Sequence, residues 1–229
     1  LIIFRGGVCM FKQFIKKVKN TVQSHRDYSN ATGNSLLHVV SNKGLFGEYL
    51  SNFSLNSVQG TSRTLYNIYL PMRNGKPTEI DLVFIHETGI YVIESKNYSA
   101  WIYGNGDHKD WTQVFPNGKK YSFYNPIKQN ETHIRALQHV LRNIPTQAYT
   151  NLVVFSERCE LKKIHYTQPQ THVLKRPDLR NLIEKLTAKN KKIFTPAEVI
   201  KIYTDLKEYA ITDAATIEQH KQGVAQYKK

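Results

Sequence analysis

Residues 79–97 read EIDLVFIHETGIYVIESKN and contain two short apolar runs on either side of a polar turn. Runs of Ile, Val, Leu and aromatic residues of this length, bounded by turn residues, are typical of buried β-strands. We therefore predict that residues 80–85 and 89–94 form a β-hairpin with its turn at residues 86–88. Because both faces of each run are apolar, we expect the hairpin to lie in the centre of a sheet.

Three charged residues mark one end of this hairpin, namely Asp81, Glu94 and Lys96. Residues two apart on a strand project from the same face, which Glu94 and Lys96 therefore share. A loop of residues 87–88 would place Asp81 opposite Glu94, and a loop of residues 88–89 would place it opposite Lys96. Both registers keep all three side chains on one face, whereas a three-residue loop would move Asp81 to the other.

Two carboxylates at the end of a buried hairpin are costly unless they are paired or bind a cation. Carboxylate oxygens are hard ligands and favour Mg²⁺ or Mn²⁺. Lys96 beside them could offset charge, hold a water and steady a phosphoryl oxygen. This combination predicts metal-dependent hydrolysis of a phosphodiester.

Hydrophobic periodicity and helix-capping signals predict the other elements of the chain. Residues 98–124, which are rich in Gly and aromatic residues, are interpreted as an extended loop or a further irregular hairpin. The predicted helices cover residues 11–22, 45–55, 125–144, 177–188 and 195–209 and the tail after residue 213, and the predicted strands beyond the hairpin cover residues 64–70, 152–155 and 172–174. The helix at residues 11–22 is basic and amphipathic, which is compatible with packing on the core, with a membrane surface or with contact to DNA.

Charge and composition restrict the class of partner. The chain has 229 residues, of which 40% are hydrophobic, so it can bury the core of one domain of ordinary size with appendages. Its net charge of +14 favours a polyanion, either nucleic acid or an anionic membrane surface. Most of the excess lies in the flanks, because residues 1–30 carry +5 and residues 150–229 carry +6.

The sequence also restricts the compartment. No run of about 18 apolar residues is present, so no segment is predicted to span a membrane. The two cysteines, Cys9 and Cys159, cannot form a disulfide framework or a four-thiolate zinc site. We therefore expect a reducing, cytoplasmic location, with association of residues 11–22 with a membrane surface as an open alternative.

The ordered series of motifs resembles the nuclease-related domain (NERD) family of the PD-(D/E)xK nuclease superfamily over residues 43–155. The residues that carry the resemblance are Gly47-Glu48, Glu79-Ile80-Asp81, residues 89–98 with Glu94-Ser95-Lys96, Trp111, and Asn125-Pro126-Ile127-Lys128-Gln129. One departure is Ala100, where the family usually has Gly. The resemblance implies an α/β, restriction-endonuclease-like core with a central mixed β-sheet flanked by helices and with basic helical N- and C-terminal extensions. We accordingly assign residues 1–42 to an N-terminal extension, residues 43–175 to the core and residues 176–229 to a C-terminal helical extension.

The resemblance also implies a site for Mg²⁺ or Mn²⁺. Asp81 and Glu94 would ligate the ion together with the main-chain carbonyl of Ser95. Glu48 would reach in from the preceding helix as a further ligand or would position a water at the metal.

Other residues would assist the chemistry. The resemblance implies that Lys96 orients the attacking water or stabilises charge, and that Gln129 orients the site or contacts the phosphate. His133 lies four residues after Gln129 and shares its helical face, but we interpret it as a surface residue because it lies away from the predicted apolar stripe. Three aromatic residues could stack on bases or pack in the core, namely Tyr98, Trp101 and Trp111.

The function predicted from these residues is a Mg²⁺- or Mn²⁺-dependent nuclease, with DNA favoured over RNA as the substrate. Two other classes stay open. One is a non-catalytic nucleic-acid-binding or interaction module on the same fold, which a Lys96 turned away from the carboxylates would favour. The other is a membrane-surface protein that docks through residues 11–22.

The sequence does not indicate an oligomeric state, and it contains no phosphate-binding P-loop and no His-Glu-x-x-His zinc motif.

Overall fold

The structure is a computed structural model that describes Leu55, residues 58–72, Gly75 and residues 77–210. Internal contacts divide the chain into residues 1–57 and 58–229, and every described residue except Leu55 belongs to the second unit. The helices predicted at residues 11–22 and 45–55 and the helical tail lie outside the described residues, apart from Leu55 itself.

The described residues form nine β-strands, three α-helices and three short 3₁₀ turns. The strands are β1 (Ser62–Pro71), β2 (Pro77–His86), β3 (Gly89–Lys96), β4 (Ala100–Asn105), β5 (Asp110–Val114), β6 (Lys120–Tyr124), β7 (Tyr149–Phe155), β8 (Cys159–His165) and β9 (Thr171–Lys175). The helices are α1 (Pro126–Val140), α2 (Leu179–Lys189) and α3 (Pro196–Lys207), and the 3₁₀ turns are Thr146–Ala148, Arg176–Asp178 and Glu208–Ala210. None of the helices within these ranges is long and apolar enough to cross a membrane.

The first sheet has five strands in the order β1-β2-β3-β7-β9. Strands β1, β2 and β3 are antiparallel to one another, whereas β3, β7 and β9 are parallel, so the sheet is mixed. The predicted hairpin is β2 and β3, and its central position in the sheet is confirmed. His86 pairs with Gly89, which leaves Glu87 and Thr88 as the two-residue loop. The first of the two proposed registers is therefore the one that forms.

The second sheet has four strands in the order β6-β5-β4-β8. It was not predicted as a sheet, because the Gly-rich segment of residues 98–124 suggested a loop or one irregular hairpin, whereas it contributes three strands. Strand β8 was not predicted at all. It lies at a sheet edge and only Cys159 among its residues is buried, so it lacks the apolar pattern that marks a central strand.

Helix α1 provides the crossover that a parallel connection requires between β3 and β7. It begins at the predicted Asn125-Pro126 signal but ends at Val140, before the predicted stop at Pro145. Helix α3 begins at the predicted capping box, in which Thr195 and Glu198 satisfy each other's main-chain N–H groups.

Two apolar clusters among the described residues join these layers. The larger cluster packs the first sheet against α1 and α3, with Leu137 and Leu206 fully buried in it. The smaller cluster lies around Phe155 and Trp111, whose rings stack at 6.1 Å between centroids and join the first sheet to the second. The predicted fold class, an α/β domain with a mixed sheet flanked by helices, is confirmed, and the second sheet is an addition to it.

Candidate active site

The open end of the β2–β3 hairpin carries the two predicted carboxylates. The ladder between β2 and β3 ends at the pair Leu82–Ile93, and Asp81 and Glu94 are the next residues outward. Extending this register by one position puts both side chains on one face of the sheet. The main-chain N–H of Ser95 donates to Asp81 Oδ2 at 2.8 Å. This hydrogen bond ties the end of β3 to the β2 carboxylate.

The ladder between β1 and β2 is interrupted beside this carboxylate. Tyr66 and Ile68 pair with β2, but Asn67, which would face Asp81, does not. Asn67 has a φ of +48°, in the left-handed region that Asn tolerates better than most residues. The register is the same on both sides of Asn67, so the irregularity is confined to the level of Asp81. Such backbone irregularities are common next to functional sites.

Glu94 is the buried centre of the site, with 2% of its surface exposed. Its Oε1 lies 2.6 Å from Lys96 Nζ, and its Oε2 lies 3.1 Å from His133 Nε2. Burial by itself raises the pKa of Glu94, but the charge of Lys96 and the hydrogen bond from His133 outweigh burial and bring the pKa to about 2. Glu94 is therefore ionised throughout the physiological pH range.

Lys96 is held between β3 and α1. Its Nζ donates to Gln129 Oε1 at 2.9 Å as well as to Glu94. Burial by itself lowers the pKa of Lys96. The charge and the hydrogen bond of Glu94 together outweigh burial and leave the pKa above its ordinary value. Lys96 is consequently a cation that points at the carboxylates, and the orientation that would have favoured a non-catalytic module is not the one observed.

His133 is buried, with 3% of its surface exposed, so the prediction of a surface position was wrong. Its Nδ1 lies 2.9 Å from Thr78 Oγ1 on β2, and its Nε2 faces Glu94. The stripe of α1 that contacts the sheet includes Asn130 and His133 as well as Leu137. A polar residue at a core-facing position needs a buried partner, and that rule could have identified His133 in the sequence.

Two buried asparagines position α1. The sequence predicted the helix start at Asn125, but it did not single out Asn130. Asn125 caps the helix by accepting from Ile127 N at 2.9 Å. Its amide donates to three main-chain carbonyls, one at the end of β4 and two in the β4–β5 connection. Asn130 donates to the Val92 carbonyl on β3 and to Asn151 on β7, both at 2.8 Å. These bonds fix the rotation and height of α1, which in turn place Gln129 over Lys96.

The donor set fits a hard divalent cation. Asp81 and Glu94 provide carboxylate oxygens from neighbouring strands, and a carboxylate that accepts hydrogen bonds still has lone pairs for a ligand. Among the described residues no group of three or more His, Cys, Asp or Glu side chains is arranged to hold a metal ion. Mg²⁺ usually keeps several waters and takes only one or two protein carboxylates, which is the number available here. Glu48, the further predicted ligand, lies outside the described residues.

The three aromatic candidates have different environments. Trp111 is 1% exposed and packs in the core between the sheets, so it cannot stack on a base. Trp101 is half-buried, and Lys162 Nζ lies 5.6 Å from its ring centre. Tyr98 is also half-buried and stacks on Phe123 with 4.4 Å between ring centroids. The pKa of Tyr98 is raised, first by burial, with smaller opposing effects from the charges of Lys96 and Glu94.

Comparison with known proteins identifies the family of this chain. Residues 43–156 match the family model of the nuclease-related domain. An uncharacterised protein of Bacillus anthracis is 34% identical over 186 residues, which cover 80% of this chain and 84% of that protein. The chain belongs to the nuclease-related domain (NERD) family. No solved structure matches the chain.

The NERD match includes every residue assigned to the site from the sequence. The structure brings four of the side chains together, namely Asp81, Glu94, Lys96 and Gln129. The match ends at Ser156, directly after β7, so α3, which completes the larger apolar cluster, lies beyond the NERD match.

Proposed function

We propose that this NERD protein is a nuclease that hydrolyses phosphodiester bonds of DNA with the help of Mg²⁺ or Mn²⁺. The observation that supports this proposal most strongly is the position of Lys96. The Lys96 ammonium, whose side chain is 16% exposed, lies 2.6 Å from the buried carboxylate of Glu94, on the face that Asp81 shares. An ordinary ion pair on the protein surface would need neither a buried carboxylate nor Gln129 of α1 as a second acceptor for the lysine.

Each residue of the site has a proposed role. Asp81, Glu94 and the Ser95 carbonyl would hold the divalent ion, which when bound polarises the phosphodiester and lowers the pKa of a water. Lys96 would donate to a non-bridging phosphate oxygen and stabilise the negative charge that develops in the transition state. In the alternative role, Lys96 would orient the attacking water.

Gln129 and His133 would act by positioning. The Gln129 amide oxygen holds the Lys96 ammonium at 2.9 Å, and His133 fixes the second oxygen of Glu94. Both residues belong to α1, so the position of this helix fixes the positions of the Lys96 ammonium and the Glu94 carboxylate. The net charge of +14 would attract the phosphate backbone to the site without sequence preference.

The test is cleavage of supercoiled plasmid and of labelled single-stranded DNA in Mg²⁺, Mn²⁺ or EDTA. We expect metal-dependent cleavage that falls at least about a hundred-fold in Asp81→Asn and in Lys96→Met. Lys201→Met is the matched control, because Lys201 forms an exposed ion pair with Asp205 on α3. Cleavage that persists in EDTA or in both site variants, or a folded protein that binds DNA without cutting it, would contradict the proposal.

A further inference from the structure

A row of aromatic side chains leads away from Lys96 along the second sheet. We define the aromatic row as Tyr98, Phe123, Tyr121 and Phe115. Tyr98 stacks on Phe123 at 4.4 Å, and Phe115 meets Tyr121 edge-on at 5.7 Å between ring centroids. Phe123 and Tyr121 are two residues apart on β6 and so project from one face of the strand.

The aromatic row begins at the candidate active site. Tyr98 follows Lys96 by two residues, and its carbonyl accepts a hydrogen bond from the Ser156 hydroxyl. Further along, Gln113 pairs with Tyr121 across the β5–β6 ladder and donates to the Ser99 carbonyl at 2.8 Å. These bonds attach the β5–β6 hairpin to the segment that leaves the site, so Tyr121 lies beside that segment.

The outer part of the aromatic row is accessible and is flanked by positive charge. Tyr121 is 55% exposed, so its ring is accessible to a ligand. Lys119, at the end of the hairpin turn, and Lys120, the first residue of β6, precede it and are both exposed. Residues 111–121 contain no acidic residue, so nothing in this stretch of the chain offsets the two lysines.

Exposed aromatic rings interleaved with lysines match the requirements of a single nucleic-acid strand, whose unpaired bases stack and whose phosphates need cations. We propose that the aromatic row is a platform for single-stranded DNA, which binds unpaired bases at Tyr121 and directs the strand toward Lys96. The bases of a duplex are already stacked on one another and cannot use the platform. This inference rests on the proposed function and adds the substrate class, namely DNA with unpaired bases.

Strand β6 provides a matched control for this proposal. Tyr124 is 47% exposed on the same strand but three residues from Tyr121, and therefore on the opposite face. Tyr121→Ala removes the platform, Tyr121→Phe keeps the ring, and Tyr124→Ala removes an equally exposed ring from the other face. All three substitutions are at exposed positions, and thermal unfolding checks that each variant folds.

Binding is measured in EDTA, without cleavage, by the fluorescence anisotropy of a labelled oligothymidine and of a duplex of equal length. We expect the wild-type protein to bind the single strand more tightly than the duplex. Tyr121→Ala should weaken single-strand binding about tenfold, while Tyr121→Phe and Tyr124→Ala stay close to the wild-type Kd.

Several outcomes would overturn the platform. They are absence of single-strand binding, tighter binding of the duplex, or an equal loss in Tyr121→Ala and Tyr124→Ala. A change of molecular mass in Tyr121→Ala by light scattering, with unchanged DNA binding, would assign this edge to a second copy of the chain instead.

The platform and the proposed function can fail separately. Binding that depends on Tyr121 in a protein that cuts nothing with Mg²⁺ or Mn²⁺ would retain the platform and reject the nuclease. Metal-dependent cleavage that is insensitive to Tyr121→Ala on single-stranded DNA would retain the nuclease and reject the platform.

Discussion

Ala100 begins β4 with a φ of +63°, a left-handed conformation that costs a residue with a Cβ atom about 1–2 kcal/mol. The sequence marked this position as a departure from the Gly that NERD proteins usually have. The structure explains that preference physically, because Gly adopts this conformation without strain. The chain keeps the turn after Lys96 at some cost in stability.

Ala100→Gly should therefore raise the free energy of unfolding by up to about 1 kcal/mol, since relief of strain exceeds the added flexibility of the unfolded chain. Chemical denaturation would measure the change. Ala136→Gly in the middle of α1 is the control, and it should lower stability because Ala136 is helical and buried. A loss of stability in Ala100→Gly would show that the turn is not strained.

The contact between His133 and Thr78 is the second feature at the scale of single residues. It fixes the ring whose other nitrogen faces Glu94. We expect a double-mutant cycle of His133→Ala and Thr78→Val to give a coupling of about 1 kcal/mol in unfolding free energy. A distant pair, His133→Ala with Thr204→Val, should be additive. If the effects of His133→Ala and Thr78→Val were also additive, the two side chains would not be coupled, and the proposed positioning contact would be rejected.

At the scale of elements, the loop of the β2–β3 hairpin is clamped to the segment before α3. The Glu87 carbonyl accepts from Ile193 N and Phe194 N, and its carboxylate pairs with Lys192 and accepts from Thr61 N. The bond to Lys192, followed by that to Thr61, lowers the pKa of Glu87 from 4.5 to about 2. The clamp therefore depends on an ionised carboxylate.

This pKa predicts a pH dependence of stability. A carboxylate with a lower pKa in the folded state stabilises the fold fully above its unfolded pKa of 4.5, and that contribution disappears as the pH falls toward 2. Glu87→Gln should therefore lose less stability than the wild type between about pH 5 and pH 2. Glu184→Gln, in an exposed pair with Arg180, is the control and should follow the wild type. The comparison uses urea midpoints at each pH, and identical curves for wild type and Glu87→Gln would reject the clamp.

At the scale of the whole molecule, α3 and the first sheet share one core. Leu206 on α3 is fully buried in the cluster that also holds Ile68 and Leu137. Helix α3 is thus part of the packing that supports the site, although it lies beyond the NERD match.

Leu206→Ala should consequently lower the free energy of unfolding by about 2–5 kcal/mol. Ile200→Ala on the same helix should change it by less than about 0.5 kcal/mol, because Ile200 is 45% exposed. Thermal or urea unfolding separates the two variants. A small effect of Leu206→Ala would mean that α3 is dispensable for the core.

The sequence alone determined the central hairpin, its position in the sheet and the shared face of Glu94 and Lys96, whereas Asp81 joins that face because the hairpin loop has two residues and not three. These features depend on local regularities: continuous apolar runs produce buried strands, and a two-residue period sets the face of each side chain. The sequence also predicted the start of α1 at Asn125-Pro126 and the capping box of α3. Both are local features, because capping groups lie within a few residues of the N–H groups they satisfy.

The tertiary structure decided the remaining features. Strands β4 to β6 and β8 form a sheet because they pair with one another and because Trp111 of β5 packs on Phe155 of the first sheet. Their own sequences carry little apolar alternation. The choice between the two hairpin registers depended on the loop that forms, since the side-chain pattern permitted both. His133 is buried because α1 lies over the end of β3, and that placement comes from bonds such as Asn130 to Val92. Local pattern thus specifies elements and faces, whereas contacts distant in sequence decide which elements meet and which polar side chains they enclose.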